Sequence, residues 1–390
     1  MPVLDDIAAF AGELNDIRHD FHEHPELGFE EVRTSGIVAE KLRSWGIEVT
    51  TGIGKTGVVG VLKGERPGKT IGLRADMDAL PIHEETNLPF SSKTPGVMHA
   101  CGHDAHTTML LGAAKYLSEH RDFAGTAVFI FQPAEEGLGG ARAMLADGLF
   151  EKFPCDEIYG MHNAPHHDAG IVGVKKGKAM AGSDFFDITI TGRGSHGARP
   201  EGSRDPIVIA TTLVQQIQSI VSRNVPPTKP AVISVTKINA GAAYNVIPNS
   251  ATLGGTIRFF HREVGELISE RIRALCAGIA KGYEVEVDVQ IRNVFDVLEN
   301  DATLADAVVA AAAPVVGSDK AALSDELVMG SEDFADMLRV VPGAYCTVGH
   351  GGDVQLHNPG FFIDDAMLPV GANIYVNLVL DRGAAAKAAA

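Results

Sequence analysis

One stretch, 98-MHACGHDAHT-107, places a cysteine and three histidines within eight positions of a 390-residue chain that has only four cysteines. Thiolate and imidazole donors this close can hold a soft or borderline metal ion, or can form a thiol nucleophile with its base. A polar loop that is merely rich in histidine is the third reading. Cys101 and His103 lie two apart, too far around a helix to share a face, so a loop or extended segment must offer them. His106, three beyond His103, faces the same way if a helix has begun there, and Asp104 is available as a supporting carboxylate.

Such donors do chemistry only if other elements bring partners to the same place. The apolar runs 70-TIGLRAD-76, 126-TAVFIF-131, 157-EIYGMH-162 and 344-AYCTVG-349 predict strands, with a helix over 105–119 between the first two. Strand and helix alternation of this kind predicts an α/β sheet covered on both faces. Ligands bind beyond the carboxyl ends of the strands in such sheets. The four predicted strands are followed there by 76-DMD-78, by 132-QPAEEG-137, by His162 and Asn163, and by 349-GHGGDVQLHNPGF-361.

Each piece has a plainer explanation when taken alone. Asp76 and Asp78 suit a turn before Pro81, Glu135 and Glu136 an exposed acidic turn, and Cys101 a small buried hydrophobe. Those explanations do not account for a common location. Glu136, His162 and His357 add enough donors for two ions, an arrangement that polarises a carbonyl and supplies hydroxide at neutral pH. Thiolate and imidazole favour zinc, cobalt, nickel or manganese over magnesium or calcium. Glu135, next to a ligand, is placed to take a proton from water and pass it to a leaving amine.

A different pattern runs from 183 to 291. Strand 184–191, helix 205–222, strands 231–238 and 251–260, helix 262–281 and strand 283–291 follow the order β-α-β-β-α-β, the ferredoxin-like pattern. Ile207, Ala210, Val214, Ile217 and Val221 are the expected buried stripe of the first helix, and Tyr283, Val285, Val287, Val289 and Ile291 the inner face of the last strand. This segment reads as a small domain inserted into a larger one made of 1–182 and 292–390. The larger one opens with an amphipathic helix over 5–21.

Composition narrows the function. The chain is 45% apolar and 21% charged, with a formal charge of −17. An acidic chain without basic clusters is a poor binder of nucleic acid. The N-terminal residues lack the basic start and apolar stretch of a signal peptide, and the longest apolar run, Ala307 to Gly317, falls short of the roughly 20 residues of a membrane span. The scattered cysteines suggest no disulfide framework. The expectation is a soluble cytoplasmic protein with reduced thiols, no nucleic-acid or membrane partner, and a frayed tail at 383-GAAAKAAA-390.

The ordered motifs 18-RHDFHEHPELGFEE-31, 74-RADMDALPI-82, 99-HACGHDAHT-107, 132-QPAEEG-137, 161-MHNAP-165, 194-GSHGARP-200, 245-NVIPNSA-251, 329-MGSEDFA-335 and 356-LHNPGF-361 resemble a known family over nearly the whole chain. It is the dinuclear metallohydrolases that include aminoacylases, hippurate hydrolase, carboxypeptidase G and plant auxin-conjugate hydrolases. The amidohydrolase branch, with a cysteine in place of a bridging aspartate, is the most similar.

The resemblance implies a zinc-peptidase-like α/β catalytic domain with a ferredoxin-like lid and dimerisation domain. It implies two divalent transition-metal ions per subunit (Zn, Mn, Co or Ni), held by Cys101, His103, Glu136, His162 and His357, with Cys101 bridging. Glu135 would be the general base. Where the wider family has H-x-D this chain has 76-DMD-78, so His103 would take over the missing histidine's role and Asp78 would orient the site. His196 would reach a neighbouring subunit's site and stabilise an oxyanion, and Asn245 and Arg258 would hold the substrate's carboxylate. Glu332 and Asp333 match supporting positions. The implied activity is hydrolysis of N-acyl or N-aroyl amino acids by a homodimer or homotetramer. The competing readings are a metallo-carboxypeptidase or dipeptidase, a cysteine nucleophile at Cys101, and a non-catalytic binding protein on a decayed hydrolase fold.

Overall fold

The computed structural model describes residues 4–384, so the expected frayed tail lies almost wholly outside the described residues. Along the chain come helices α1 (Asp5–Ala9), α2 (Ala11–Glu23) and α3 (Val32–Ser44), then strands β1 (Glu48–Ile53), β2 (Gly57–Lys63) and β3 (Arg66–Asp76). Helix α4 (His103–Glu119), β4 (Ala124–Gln132), β5 (Glu157–Ala164) and β6 (Val172–Val174) follow. Next are β7 (Gly182–Thr191), α5 (Pro206–Asn224), β8 (Ala231–Ala240), β9 (Ser250–Phe259), α6 (Arg262–Tyr283) and β10 (Glu286–Phe295). The chain closes with α7 (Ala302–Val316), β11 (Ala321–Leu323), β12 (Gly343–Gly349) and α8 (Leu368–Gly383).

These elements form two compact units. The first takes the residues up to Ala179, Glu299–Glu326 and those from Asp333 on; the second takes Met180–Leu298 and Leu327–Glu332.

The first unit is built on an eight-stranded sheet in the order β1-β2-β4-β3-β5-β12-β6-β11. Its centre is parallel: β3 pairs with β4 and β5, and β12 with β5, all in the same direction. Residues on both sides of these strands are buried, among them Ile71, Leu73, Phe129, Ile130, Phe131, Ile158 and Tyr159, which is why they read as continuous apolar runs. Helix α4 is buried without interruption from His103 to Ala114, and Ile374, Tyr375, Val376, Leu378 and Val379 of α8 join the same core. The helix expected over 5–21 is broken at Phe10 into α1 and α2. Its apolar stripe, Ile7, Leu14, Ile17 and Phe21, is buried together with Arg18 and His22, which find acidic partners described below.

The second unit has a four-stranded sheet, β8-β9-β7-β10, in which every pairing is antiparallel. With α5 and α6 this is the ferredoxin-like order, and Phe186, Ile188, Ile190, Leu253 and Ile257 of the sheet share a core with both helices. Two local expectations are corrected. The buried stripe of α5 is Ile209, Ala210, Leu213, Ile217 and Ile220, whereas Ile207 is exposed. Two adjacent faces of that helix are apolar, so periodicity alone cannot choose between them. Tyr283 ends α6, and Glu284 adopts a left-handed conformation (φ 55°) that caps it, so the strand begins at Glu286 rather than at 283.

Candidate metal centre

Because β3, β4, β5 and β12 run parallel, their carboxyl ends lie on one edge of the sheet. Asp76 ends β3, Gln132 ends β4 three residues before Glu135, and His162 lies two residues before the end of β5. His357 sits in the loop after β12, its backbone N–H donating to the Ala100 carbonyl at 2.8 Å. Gly102 separates Cys101 from His103, the first residue of α4. Its φ is 92°, and a Cβ there would lie 2.4 Å from Asn163 Nδ2. Only glycine makes that turn in that space, so the spacing C-G-H lets the thiol precede the helix while the imidazole opens it.

Cys101 Sγ lies 3.2 Å from His162 Nε2, and His357 Nε2 lies 3.3 Å from Glu136 Oε1. Two groups of donors share the thiol: Cys101 with His103 and His162, and Cys101 with Glu136 and His357. In each, the donor atoms fall within 4.8 Å of one another. A further group within that limit joins His103 to Glu135 and Glu136.

The ring nitrogens facing away from the cluster settle the tautomers. His162 Nδ1 donates to the Asn163 carbonyl at 2.7 Å, and His103 Nδ1 to the Asp78 carbonyl at 2.9 Å. A carbonyl can only accept, so Nδ1 carries a proton in each ring and, in the neutral form, Nε2 carries the lone pair. His103 Nε2 and Glu136 Oε1 are buried and make no hydrogen bond. A buried polar atom without a partner costs about 1–3 kcal/mol, and a cation bound among these donors removes that cost. One thiol, three imidazoles and a carboxylate are the donor types that zinc-class ions take.

Charge is finely set around the cluster. Burial pushes the Cys101 thiol pKa up. Burial opposes an imidazolium at His103, but Asp76 and then Cys101 outweigh it and hold its pKa well above the ordinary value. Burial, with His106 next in size, pushes His162 well below its ordinary value. The neighbouring Cys101 and then Glu136 raise His357 to about 10.

A buried polar frame holds the donors. Asp76 Oδ1 lies 2.7 Å from His106 Nδ1, and Asp76 Oδ2 accepts from Arg74 Nη1 at 2.6 Å. His106 Nε2 accepts the Asn163 backbone N–H at 3.1 Å, and Asn163 Nδ2 donates to the Cys101 carbonyl at 2.6 Å. Asp333 accepts from Arg74 (3.1 Å), Gln132 (2.7 Å) and the Ala141 N–H (2.9 Å). His106 and Asp76, to which the motifs alone give no ligand or catalytic role, belong to this frame. Asp104 is different: it bonds Arg18 at 3.1 Å and His22 at 2.8 Å and supports α2 rather than a donor of the cluster.

In the second unit, Ser195–His196 pairs with Val246–Ile247 as a short ribbon, and the Gly197 N–H donates to the Asn245 carbonyl at 2.8 Å. His196 and Asn245 are therefore neighbours. The N–H groups of Gly192 and Gly194 bond Asn249, which places this ribbon beside the start of β9. Arg258 lies on β9 eight positions beyond Ser250, about 26 Å away at the strand rise. Its Nη1 is buried without a hydrogen-bond partner, and its guanidinium carbon lies 5.9 Å from the Phe185 ring centre. The structure thus brings His196 and Asn245 together and leaves Arg258 near the other end of the sheet.

A helix-covered, parallel-centred sheet with thiol, imidazole and carboxylate donors gathered at its strand ends defines a metal-dependent α/β hydrolase. The description Peptidase family M20/M25/M40 matches residues 72–381, and the chain belongs to that family. A hippurate hydrolase of Campylobacter jejuni is 45% identical over 380 residues, covering 97% of this chain and 99% of its own. An N-acetylcysteine deacetylase of Bacillus subtilis is 40% identical, with 95% and 97% covered. Among solved structures, a Bacillus subtilis protein described as a dinuclear metal-binding peptidase of the M20 family has a TM-score of 0.82 and 37% identity, with 96% and 99% covered.

Proposed function

We propose that the chain is a metal-dependent amidohydrolase that cleaves N-acyl or N-aroyl amino acids, hippurate-like compounds included, to a carboxylic acid and a free amino acid. The observation that carries this reading is the thiol of Cys101 shared between two donor groups beside Glu135. The names of the similar proteins, hippurate hydrolase and N-acetylcysteine deacetylase, support the same substrate class.

Cys101, His103, Glu136, His162 and His357 would hold two divalent transition-metal ions of the zinc, manganese, cobalt or nickel kind. When bound, such ions supply Lewis acidity at the scissile carbonyl and hydroxide at neutral pH. Glu135 takes the proton of the attacking water and returns it to the amine nitrogen as the C–N bond breaks. Asp78 keeps His103 in the tautomer whose Nε2 faces the cluster. Arg258 pairs with the substrate carboxylate through two parallel hydrogen bonds, assisted by Asn245, and His196 donates to the developing oxyanion.

Arg258 stands about 26 Å along the sheet from the start of β9, where His196 and Asn245 lie, so one copy of this unit cannot present all three to a single small substrate. That separation supports a homodimer or higher assembly in which the second unit, acting as lid and dimerisation domain, lends His196 and Asn245 to another copy's site. Four free cysteines fit a reducing, cytoplasmic setting.

The test is chelation followed by re-addition of single metals, assayed on hippurate and a panel of N-acetyl amino acids. Activity should vanish with the metal and return with it; full activity after complete chelation would sink the proposal. Two thermostable carboxypeptidases of Saccharolobus solfataricus, each 38% identical, favour a second reading in which unblocked dipeptides are substrates. Dipeptides in the same panel decide between them.

A further inference from the structure

A second gathering of donors lies in the first unit, outside the set around Cys101. His166 and His167 belong to the loop between β5 and β6, and Glu326 follows β11. Their donor atoms fall within 4.8 Å of one another. We propose that His166, His167 and Glu326 form an auxiliary site for one divalent transition-metal ion of the zinc class.

The geometry is close to that of a bound ion without one being required to hold it together. His167 Nε2 and Glu326 Oε2 are 3.8 Å apart, too long for a hydrogen bond. Two ligands on a tetrahedral zinc, each about 2.1 Å from the metal, stand about 3.4 Å apart, so small side-chain rotations suffice. The two imidazoles meet edge to face, with ring centres 4.3 Å apart and planes at 72°. They are not stacked, so one nitrogen of each can turn toward a common point.

The plainer explanation, a His167–Glu326 ion pair, does not account for the arrangement. Their side chains are 24% and 58% exposed, and a pair at that distance in water contributes little. The other ring nitrogen, His167 Nδ1, is buried and has no hydrogen-bond partner. No protein group therefore fixes the His167 tautomer, as a carbonyl does at His103 and His162. Two imidazoles and one carboxylate, with an open position toward solvent, suit zinc, nickel or cobalt; magnesium and calcium prefer oxygen.

The backbone that carries these donors is already in place. His167 N–H donates to the Ala164 carbonyl at 3.3 Å, and the His167 carbonyl accepts from Gly351 N–H at 2.8 Å. Ser324 N–H bonds the Val174 carbonyl at 2.8 Å, and its hydroxyl accepts the Glu326 N–H at 3.1 Å. An ion here would tie the loop after β5 to the segment after β11. That loop begins immediately beyond His162 and Asn163, so the auxiliary ion would stiffen the chain on which part of the main donor set rests.

The proposal does not depend on how many ions the Cys101 cluster takes, because it concerns a difference between two proteins. Full-length chain is stripped with a chelator and titrated with Zn²⁺ in equilibrium dialysis, with bound metal counted by elemental analysis. The wild type should bind one ion more than the His166→Ala/His167→Ala variant, and Glu326→Gln should weaken that extra site at least tenfold. His166→Gln, at an exposed position that leaves the fold alone, should also weaken the extra site if the double variant proves unstable. Identical zinc uptake by the wild type and His166→Gln at every free zinc concentration would overturn the assignment.

Discussion

Asp78 and His103 are joined twice. His103 Nδ1 lies 2.9 Å from the Asp78 carbonyl oxygen and 3.2 Å from its Oδ1, while Asp78 Oδ2 accepts the backbone N–H of Glu136 at 3.0 Å. A single buried aspartate two residues beyond the end of β3 thus orients an imidazole at the head of a helix and a carboxylate after the neighbouring strand.

Asp78→Asn removes half of that arrangement. An amide keeps the shape but has one acceptor oxygen where the carboxylate has two, so the side chain can no longer accept from both His103 and the Glu136 N–H, and His103 keeps only the backbone carbonyl. Partners of this kind are worth roughly 10–100-fold in metal affinity. The variant should lose affinity by that factor, measured by competition with a chelating dye, and should recover most of its kcat at saturating metal. Unchanged affinity would show that His103 is held in place by its other contacts.

Glu135→Gln separates proton transfer from ligation. Glu135 is buried and falls within one group with His103 and Glu136, yet the five proposed ligands remain intact without its charge. Turnover should fall by about 10²–10⁴ while metal content stays at the wild-type value. Elemental analysis beside steady-state kinetics reads both, and a variant that turns over normally would remove Glu135 from the mechanism.

The parts of this molecule legible in its sequence are those whose cause is local or topological. Parallel strands buried on both faces wrote themselves as apolar runs, and the rule that ligands gather beyond their carboxyl ends placed Asp78, Cys101, His103, Glu135, Glu136, His162 and His357 on one edge. What escaped depends on distant pairings. Arg74 and Asp333 stand 259 positions apart, and no spacing announces their bond. Asp104 sits between cluster residues in sequence, but the helical turn sends it the other way, to Arg18 and His22. The role of Asp76 in 76-DMD-78 is not legible because its partner, His106, is reached only once α4 lies across the end of β3.

Gly102→Ala tests the turn on which the motif depends. The new Cβ would stand 2.4 Å from Asn163 Nδ2 and 2.6 Å from Ile363 Cδ1, in a left-handed conformation that alanine disfavours. Conformational strain of this kind costs of order 1–3 kcal/mol before any clash is relieved. Relief must move Asn163, which bonds both the Cys101 carbonyl and His106. A lower Tm in calorimetry should therefore come with a loss of bound metal. Wild-type Tm and metal content together would mean that the loop re-forms around the methyl group.

His22 should make stability depend on pH. Burial alone lowers an imidazole pKa, but the charge and hydrogen bond of Asp104, with a further hydrogen bond to Glu84, raise His22 from 6.5 to about 9. The folded state binds this proton more tightly than the unfolded chain. The contribution is therefore fully present below pH 6.5 and is lost as pH rises through about 9. A shift of that size corresponds to roughly 3 kcal/mol. Urea unfolding at intervals from pH 6 to 10, with metal chelated throughout, should show the wild type losing stability across this window. His22→Gln should start lower and fall less steeply, because it has no proton to lose. Asp104→Asn should also flatten the slope, by returning His22 toward its ordinary pKa. Parallel pH profiles for all three proteins would place the proton elsewhere.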